Sequence, residues 1–384
     1  MFKKRFSLAG LIMACLITCG ALVGIGVYWL NGNIGSVSDL FKLARSAKLI
    51  QKNYVGDVAS DVLYEGALRG MVKSLDDPHS VYLDKKDFAD LAMSTEGHFS
   101  GIGAVLSINK EKVVVVVAPI DDSPADKAGL VSGDHVLAVD GQKTAGMELE
   151  DVVKLIRGAN GTQVELLVQT GSEAARKVTI TRSDIKLKSV SGEMKDGDIG
   201  YIRITSFSES TAADFRQKYA ELAAAGMQGL VLDLRGNPGG LLDAGVNVAK
   251  LLVPKGPIVS VTEKSGRTLT EYSNLPKVKY PAAVLVDKGT ASAAEIVAGA
   301  MQDTKAGKLF GTKTYGKGSV QTIFRVSSGT GIKLTMAKYF TPSGRSINGV
   351  GIEPDVVIEP EDVKGSNQLK AALTYVQEVI GQVK

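Results

Sequence analysis

Three short stretches of the chain hold side chains able to do chemistry. In G-T-A-S-A-A-E (289–295) a serine follows the apolar run A-A-V-L-V and opens an Ala-rich segment. Ser292 with Glu295 three residues on has the pattern of a capping box, in which each side chain satisfies a backbone N–H that the first helical turn leaves unpaired. The same position suits a nucleophile, because first-turn N–H groups, that of Ala293 among them, favour a developing oxyanion. In T-Y-G-K-G-S-V-Q (314–321) Lys317 lies between two glycines, which let backbone close around the ammonium and exclude water. To act as a base near pH 7 its pKa has to fall from about 10.4, which costs about 4 kcal/mol supplied by the fold. Read alone, Gly-Lys-Gly is also the composition of a plain surface turn. In D-L-R-G-N-P-G-G (233–240) Pro238 stands where the G-x-S-x-G loops of hydrolases carry their nucleophile, so Gly239 and Gly240 are expected to turn N–H groups toward an oxyanion instead. The 3 histidines, His79, His98 and His135, lie outside these stretches, and a His-based triad is not expected.

These loops need rigid elements behind them. V-L-D-L (231–234) and A-V-L-V (283–286) read as buried strands, each followed by a Gly-rich or small-residue turn and a helix, the pattern of an α/β core. Ahead of the core, V-V-V-V-V (113–117), H-V-L-A-V (135–139) and V-E-L-L-V (164–168) are short β-rich runs separated by turn signals, with one helix-like segment from Glu148 to Ile156, so a small β-barrel-like module is expected there. Apolar residues recur at helical spacing from Leu40 to Met71, predicting a helical leader, and Leu369, Leu373, Val376 and Ile380 predict a closing helix. Asp303 is expected to face solvent from its helix.

At 384 residues the chain has room for two or three cores, and no internal repeat is visible. Its net charge is only +4, from 45 basic and 41 acidic residues, with no basic run interleaved with aromatics, which argues against nucleic acid as a partner. From Leu8 to Leu30 there is no charged side chain, and Lys3, Lys4 and Arg5 precede this stretch. A helix there, rising about 1.5 Å per residue, is long enough to cross a bilayer, and no small-x-small cleavage site is clean. An uncleaved anchor is expected, with the basic end in the cytoplasm and the rest across the membrane. Both cysteines, Cys15 and Cys19, fall inside this segment as small buried hydrophobes, and no disulfide, metal site or cofactor is expected.

The glycines of F-S-G-I-G-A-V-L (99–106) precede an apolar strand, where backbone N–H groups of Gly101, Ile102, Gly103 and Ala104 can form an anion nest for the C-terminal carboxylate of a peptide added to a sheet edge. A dinucleotide fingerprint would need a glycine where Leu106 stands. With D-S-P-A-D-K-A-G-L-V-S-G-D-H-V-L-A-V-D-G (122–141) and I-R-G-A-N-G-T (156–162), this segment resembles a PDZ domain. Followed in order by D-L-R-G-N-P-G-G, G-T-A-S-A-A-E-I and G-K-G-S-V-Q, and accompanied by D-P-H-S-V-Y-L and Y-F-T-P-S-G-R-S-I-N-G-V-G-I-E-P-D (339–355), it resembles the carboxy-terminal processing proteases, PDZ-bearing serine peptidases of family S41, over residues 36–384.

The resemblance implies Ser292 as nucleophile, Lys317 as general base and Gln321 as the residue that orients the lysine. The expected partners of the oxyanion are Gly239, Gly240 and Ala293. Ala294 departs from the serine many relatives carry, with little loss expected. Arg157 is read as a reporter of the PDZ state across the domain boundary, or as a solvated surface residue. The expected organisation is an anchor (1–35), a helical region (36–95), an inserted PDZ domain (96–182), a mixed α/β peptidase core (183–360) and a C-terminal helix (361–384). The implied substrates are unfolded or tail-bearing proteins of the bacterial cell envelope, on the extracytoplasmic side. A homo-oligomer or an adaptor protein is an open partner. The rival reading is a membrane-anchored PDZ scaffold with an inert core.

Overall fold

The computed structural model describes residues 37–109, 112–120, 122–327, 329–362 and 365–383, so the expected anchor and both cysteines lie outside the described residues. Among the described residues no helix is long and apolar enough to cross a membrane. The chain divides into a unit ending at Tyr82 and a unit from Leu83 to Lys384.

In the first unit, helices α1 (Val37–Asn53) and α2 (Ser60–Lys73) are joined by a short turn, where Gln51 Nε2 donates to Val58 O and Ser60 Oγ. The helical spacing is there, yet Leu40, Phe41, Leu49 and Ile50 are exposed. In the turn that follows, His79 N–H donates to Asp77 Oδ1, a structural role for the D-P-H-S string. A short strand, β1 (Val81–Leu83), ends this region.

The second unit opens with α3 (Lys85–Glu96). Asp84 caps it by accepting from the N–H groups of Lys86 and Asp87, and Gly97 ends it at φ 74°. A side chain on Gly97 would come within 2.5 Å of Ser208 Oγ. Strand β2 (His98–Gly101) then leads into the β-rich module: β3 (Ala104–Ile108), β4 (Val114–Pro119), α4 (Pro124–Lys127), β5 (Asp134–Val139), β6 (Gln142–Lys143), α5 (Leu149–Ile156), β7 (Gln163–Thr170) and β8 (Arg176–Thr181). Its sheet runs β3-β4-β5-β7-β8, with β6 beside β5. Val164, Leu166 and Val168 alternate inward on β7 and meet Val114, Val116, Val136, Val152 and Ile156 in one core. The chain leaves through β9 (Ser183–Lys186), antiparallel to β2, so entry and exit are zipped together. Arg182, just before β9, donates to Leu155 O and Ile156 O and so neutralises the carbonyl end of α5.

The core sheet has the order β10-β11-β12-β15-β16-β19. Its strands are β10 (Val190–Lys195), β11 (Ile199–Ile204), β12 (Gly229–Asp233), β15 (Ala282–Val286), β16 (Lys308–Gly311) and β19 (Val356–Val357), all parallel except the antiparallel edge β10. Every residue of β12 and β15 is buried because helices cover both faces. On one face Leu230, Leu232, Val284 and Val286 pack with α6 (Thr211–Ala224), α7 (Leu242–Ala249) and α8 (Ala293–Asp303). On the other, Val231, Ala283 and Leu285 pack with Ala372, Val376 and Ile380 of α9 (Ser366–Val383). Each such Val, Leu or Ile contributes about 1.5–3 kcal/mol. A second, antiparallel sheet contains β13 (Gly256–Glu263), β14 (Thr268–Ser273), β17 (Ser319–Ser327) and β18 (Thr330–Phe340), with β17 hairpinned onto β18.

Candidate active site

The turn from β15 into α8 is the most constrained part of the core. Ser292 sits at φ 55°, ψ −122°, a conformation that costs a residue with a side chain about 1–3 kcal/mol and persists only when its surroundings impose it. Four contacts do so. Thr290 Oγ1 donates to Leu234 O (2.9 Å), and Ala291 N–H to Asn237 O (2.9 Å). Ser292 N–H donates to Glu295 Oε2 (2.9 Å), the acidic half of the capping box, and the Tyr339 hydroxyl reaches Ser292 O (3.0 Å). A half-buried serine held on a sharp strand-to-helix turn is the geometry of a nucleophile elbow.

Glu295 does more than cap. Its carboxylate, fully buried, also accepts Thr314 Oγ1 (2.6 Å), Gly316 N–H (2.8 Å) and Lys317 N–H (2.9 Å). Burial pushes its pKa up, and these donors hold it partly back by favouring the ionised form. One carboxylate therefore ties the serine turn to the lysine loop. Tyr339 adds a second tie, its hydroxyl lying against Ser292 O and Lys317 O. Burial and the nearby Glu295 charge push that phenol well above its usual range, so it stays a donor. The glycines flanking Lys317 are needed for close approach: a side chain at Gly316 would come within 2.6 Å of Gly351 N, and one at Gly318 within 2.7 Å of Asn348 N.

Ser292, Ala293, Lys317, Gln321, Gly239 and Gly240 line one cavity of about 380 Å³. Apolar walls come from Leu91, Phe207, Leu241, Ile296 and Ile323. The Gln321 amide nitrogen donates to Ser319 Oγ (2.9 Å) and Thr335 Oγ1 (3.3 Å), which fixes the amide plane at the start of β17.

The facing turn, from β12 into α7, differs in detail from expectation. Gly239 N–H donates to Asn237 Oδ1 (2.8 Å), so it is committed to its own loop rather than turned toward the serine. Asn237 is itself locked by donating to Ile204 O (2.8 Å). Gly240 bridges Phe207 through its neighbours, with Phe207 N–H to Gly239 O and Leu241 N–H to Phe207 O, which leaves its own N–H on the opposite side. The donors that meet no acceptor among the described residues are therefore Gly240 and Ala293. Both glycines are obligatory: a side chain at Gly239 (φ 95°) would lie 2.6 Å from Ser292 Cβ, and one at Gly240 (φ 144°) 2.0 Å from Phe207 O.

The base of this turn was not visible as a network in the sequence. Asp233, fully buried at the end of β12, accepts from Arg235 Nε (2.9 Å) and Nη2 (2.7 Å), from Tyr201 OH (2.7 Å) and from Arg203 (3.3 Å). Arg235 Nη1 reaches Gly365 O and Gln368 Oε1, which joins the loop to α9. Burial raises the Asp233 carboxyl, and its bonds to Arg235 and Tyr201 outweigh that and hold it low. Tyr201 is pushed up to about 12, by burial first and then by Asp233. The only trace in the sequence is the D-x-R spacing, which puts both side chains on one side of an extended segment.

In the β-rich module, Ile102 O accepts Ala125 N–H, and Gly103 O accepts Ile120 N–H and Ser123 Oγ. The carbonyls of the glycine loop thus point inward, and the N–H groups of Ile102 and Gly103 meet no acceptor among the described residues. Ala104 begins β3 and Gly101 ends β2. Arg157, at the end of α5, lies with Nη2 3.6 Å from Met93 Sδ and its guanidinium 5.9 Å from the Phe99 ring centre. Asp303 does not face solvent: its side chain is 9% exposed and accepts from Ser343 N–H, Ser343 Oγ and Arg345.

Comparison with known proteins places the chain in a family. The model of peptidase family S41 matches residues 198–358, that of the PDZ domain residues 115–170, and that of the activating protease CtpB N-terminal domain residues 31–87. Carboxy-terminal processing protease CtpA of Bacillus subtilis is 39% identical over 87% of this chain and 72% of its own length. A carboxy-terminal-processing protease of Bartonella bacilliformis is 39% identical over 87% of this chain and 79% of its own. Among solved structures, a photosystem II D1 C-terminal processing protease superposes with a TM-score of 0.50 at 32% identity, covering 86% of this chain and 96% of its own. The chain belongs to the carboxy-terminal processing proteases, serine endopeptidases of family S41 that carry a PDZ domain.

Proposed function

We propose that Ser292 Oγ attacks the scissile carbonyl of a substrate chain while neutral Lys317 takes its proton; the lysine ammonium gives that proton to the leaving amine as the C–N bond breaks, and neutral Lys317 then deprotonates the water that hydrolyses the acyl-enzyme and returns the proton to Ser292 Oγ. The observation that carries this reading is the shared carboxylate of Glu295, which holds the turn of Ser292 and the loop of Lys317 around one cavity. Gln321 supplies an amide oxygen as acceptor for the lysine ammonium. Gly240 and Ala293 N–H groups receive the oxyanion, and Gly239 keeps the loop open as a positioning residue.

The PDZ domain (96–182) captures the C-terminal carboxylate of an unfolded or tail-bearing protein on the N–H groups of Gly101 to Ala104. Its state is read by Arg157. Met93, which Arg157 touches, lies on α3, and Leu91, Ser94 and Thr95 of the same helix line the cavity. The segment 1–35 anchors the protein, and the peptidase core (183–360) works on the extracytoplasmic side of a bacterial envelope, alone, as an oligomer or with an adaptor.

The test follows cleavage of an unfolded protein with an apolar C-terminal tail by the full chain, Ser292→Ala and Lys317→Ala. The expected result is cleavage by the wild type and a loss of at least about 10³-fold in each variant, with unchanged circular dichroism. A wild type that binds the tail without cutting it would instead support a scaffold or an adaptor-dependent enzyme.

A further inference from the structure

The cavity that holds Ser292 is lined by two lysines and by no aspartate or glutamate. Lys317 has an assigned part in the proposed chemistry. Lys333 does not. It is half-buried on β18 and forms no ion pair among the described residues, and the Glu295 carboxylate, which ties the serine turn to the lysine loop, spends both oxygens on Thr314, Gly316, Lys317 and Ser292. Its charge therefore lines the cavity with no carboxylate among the lining residues.

Register fixes where this charge stands. On the hairpin, Gln321 lies opposite Thr335, and Ile323 opposite Lys333, with no irregularity between these rungs. Directly opposed residues share a face, so Gln321, Ile323, Lys333 and Thr335 project together, and all but Thr335 line the cavity. Lys333 is the diagonal same-face neighbour of Gln321, about 7–8 Å away across the hairpin. A substrate lying extended across this face presents every second side chain to it at that same interval.

We infer that Lys333 is a specificity residue of the peptidase site, receiving a substrate carboxylate about two residues from the scissile bond. The inference rests on the Ser292/Lys317 reading of the site. Two sources present the same group, an Asp or Glu side chain and the free end of a short substrate chain.

The experiment uses the full chain and peptides built on a sequence the wild type cleaves, with Glu or Gln at each position within three residues of the scissile bond, each made with a free and an amidated C-terminus. The expected result is a kcat/KM preference of roughly fivefold for Glu over Gln at one position, the worth of a half-exposed ion pair. That ratio falls to about one in Lys333→Gln and inverts in Lys333→Glu. If the preference follows the free C-terminus instead of the side chain, the carboxylate is the chain end and the assignment of Lys333 still stands. A Glu/Gln ratio near one at every position and no effect of amidation in the wild type overturns it. So does a variant that keeps the preference, or one that moves only the acid limb of the pH–rate profile, which would make Lys333 a neighbour that tunes Lys317. If Ser292→Ala cleaves as well as the wild type, the reading of the site itself has failed, a result separate from the Lys333 ratios.

Discussion

Two neighbouring strands of one parallel sheet, β12 and β15, end in turns that enter helices side by side, and the turns have opposite designs. The β15 turn carries the proposed nucleophile on a strained backbone, Ser292 at φ 55°. The β12 turn carries a proline where that side chain would be and exposes backbone at Gly240 (φ 144°), with Gly239 (φ 95°) buried beside it. Among the buried polar side chains that hold them, Glu295 caps the first and Asn237 closes the second. The two are stitched to each other by Gly236 N–H to Asp287 Oδ1, Thr290 Oγ1 to Leu234 O and Ala291 N–H to Asn237 O. Under the proposed mechanism the β15 turn positions the attacking atom and one donor, Ala293 N–H, and the β12 turn supplies the facing donor, Gly240 N–H.

The largest effect is expected where the backbone of the β12 turn has no room. Gly240→Ala places a methyl 2.0 Å from Phe207 O at a φ that favours glycine, so the loop has to rebuild. Destabilisation of about 3 kcal/mol or more in urea unfolding, and loss of most activity, are expected. A folded, active Gly240→Ala would remove this turn from the oxyanion site.

Glu295→Gln comes next. The amide keeps the shape but sets an NH2 against two donors, either Ser292 and Lys317 N–H or Thr314 and Gly316. One buried donor pair is left unsatisfied, about 1–3 kcal/mol, and because both the serine and the lysine lose their common tie, kcat should fall about 10²-fold with KM little changed. An equal loss in both turns' hydrogen-exchange protection would break the contrast between them, since only the β15 turn depends on this carboxylate.

Strain in the β15 turn is tested by Ser292→Gly against Ser292→Ala. Both are expected to be inactive, yet the glycine variant should be more stable than the alanine variant by about 1 kcal/mol in urea unfolding, because only glycine adopts this φ at no cost. Equal stabilities would mean that the turn stores no strain.

How much of this was legible follows the range of each interaction. The buried strands read at 231–234 and 283–286, which run 229–233 and 282–286 in the structure, were legible because a parallel strand covered on both faces is continuously apolar, and the capping pattern of Ser292 and Glu295 is local in sequence. The second job of Glu295 was not readable, since its partners Thr314, Gly316 and Lys317 come near only when the sheet is assembled. The same holds for Arg235, whose contact with Gln368 joins residues far apart in the chain, and for Tyr339, whose hydroxyl meets Ser292 O and Lys317 O only once β18 is in place. Gly239 was read as an oxyanion donor because glycine signals freedom of backbone direction, but the composition of a loop does not say which acceptor, Asn237 or a substrate, its N–H finds.

The smallest effect sharpens the contrast at the far end of α8. Helix α7 begins after the β12 turn and runs only to Ala249, whereas α8 is held at its C-terminus as well, by Asp303 gripping Ser343 and Arg345. Burial pushes the Asp303 carboxyl up, but the Ser343 and Thr341 hydrogen bonds and the Arg345 charge outweigh it, and its pKa lies below the ordinary 3.8. A group whose folded pKa is depressed contributes stability above its unfolded pKa and loses it as pH falls through the folded value. Wild type should therefore exceed Asp303→Asn in stability at neutral pH, by no more than about 1 kcal/mol for so exposed a partner as Arg345, with the difference closing below about pH 4. Parallel melting curves of the two proteins from pH 7 to pH 3 measure it, and a gap that stays constant with pH would show that shape, not charge, ties α8 to the 341–345 loop.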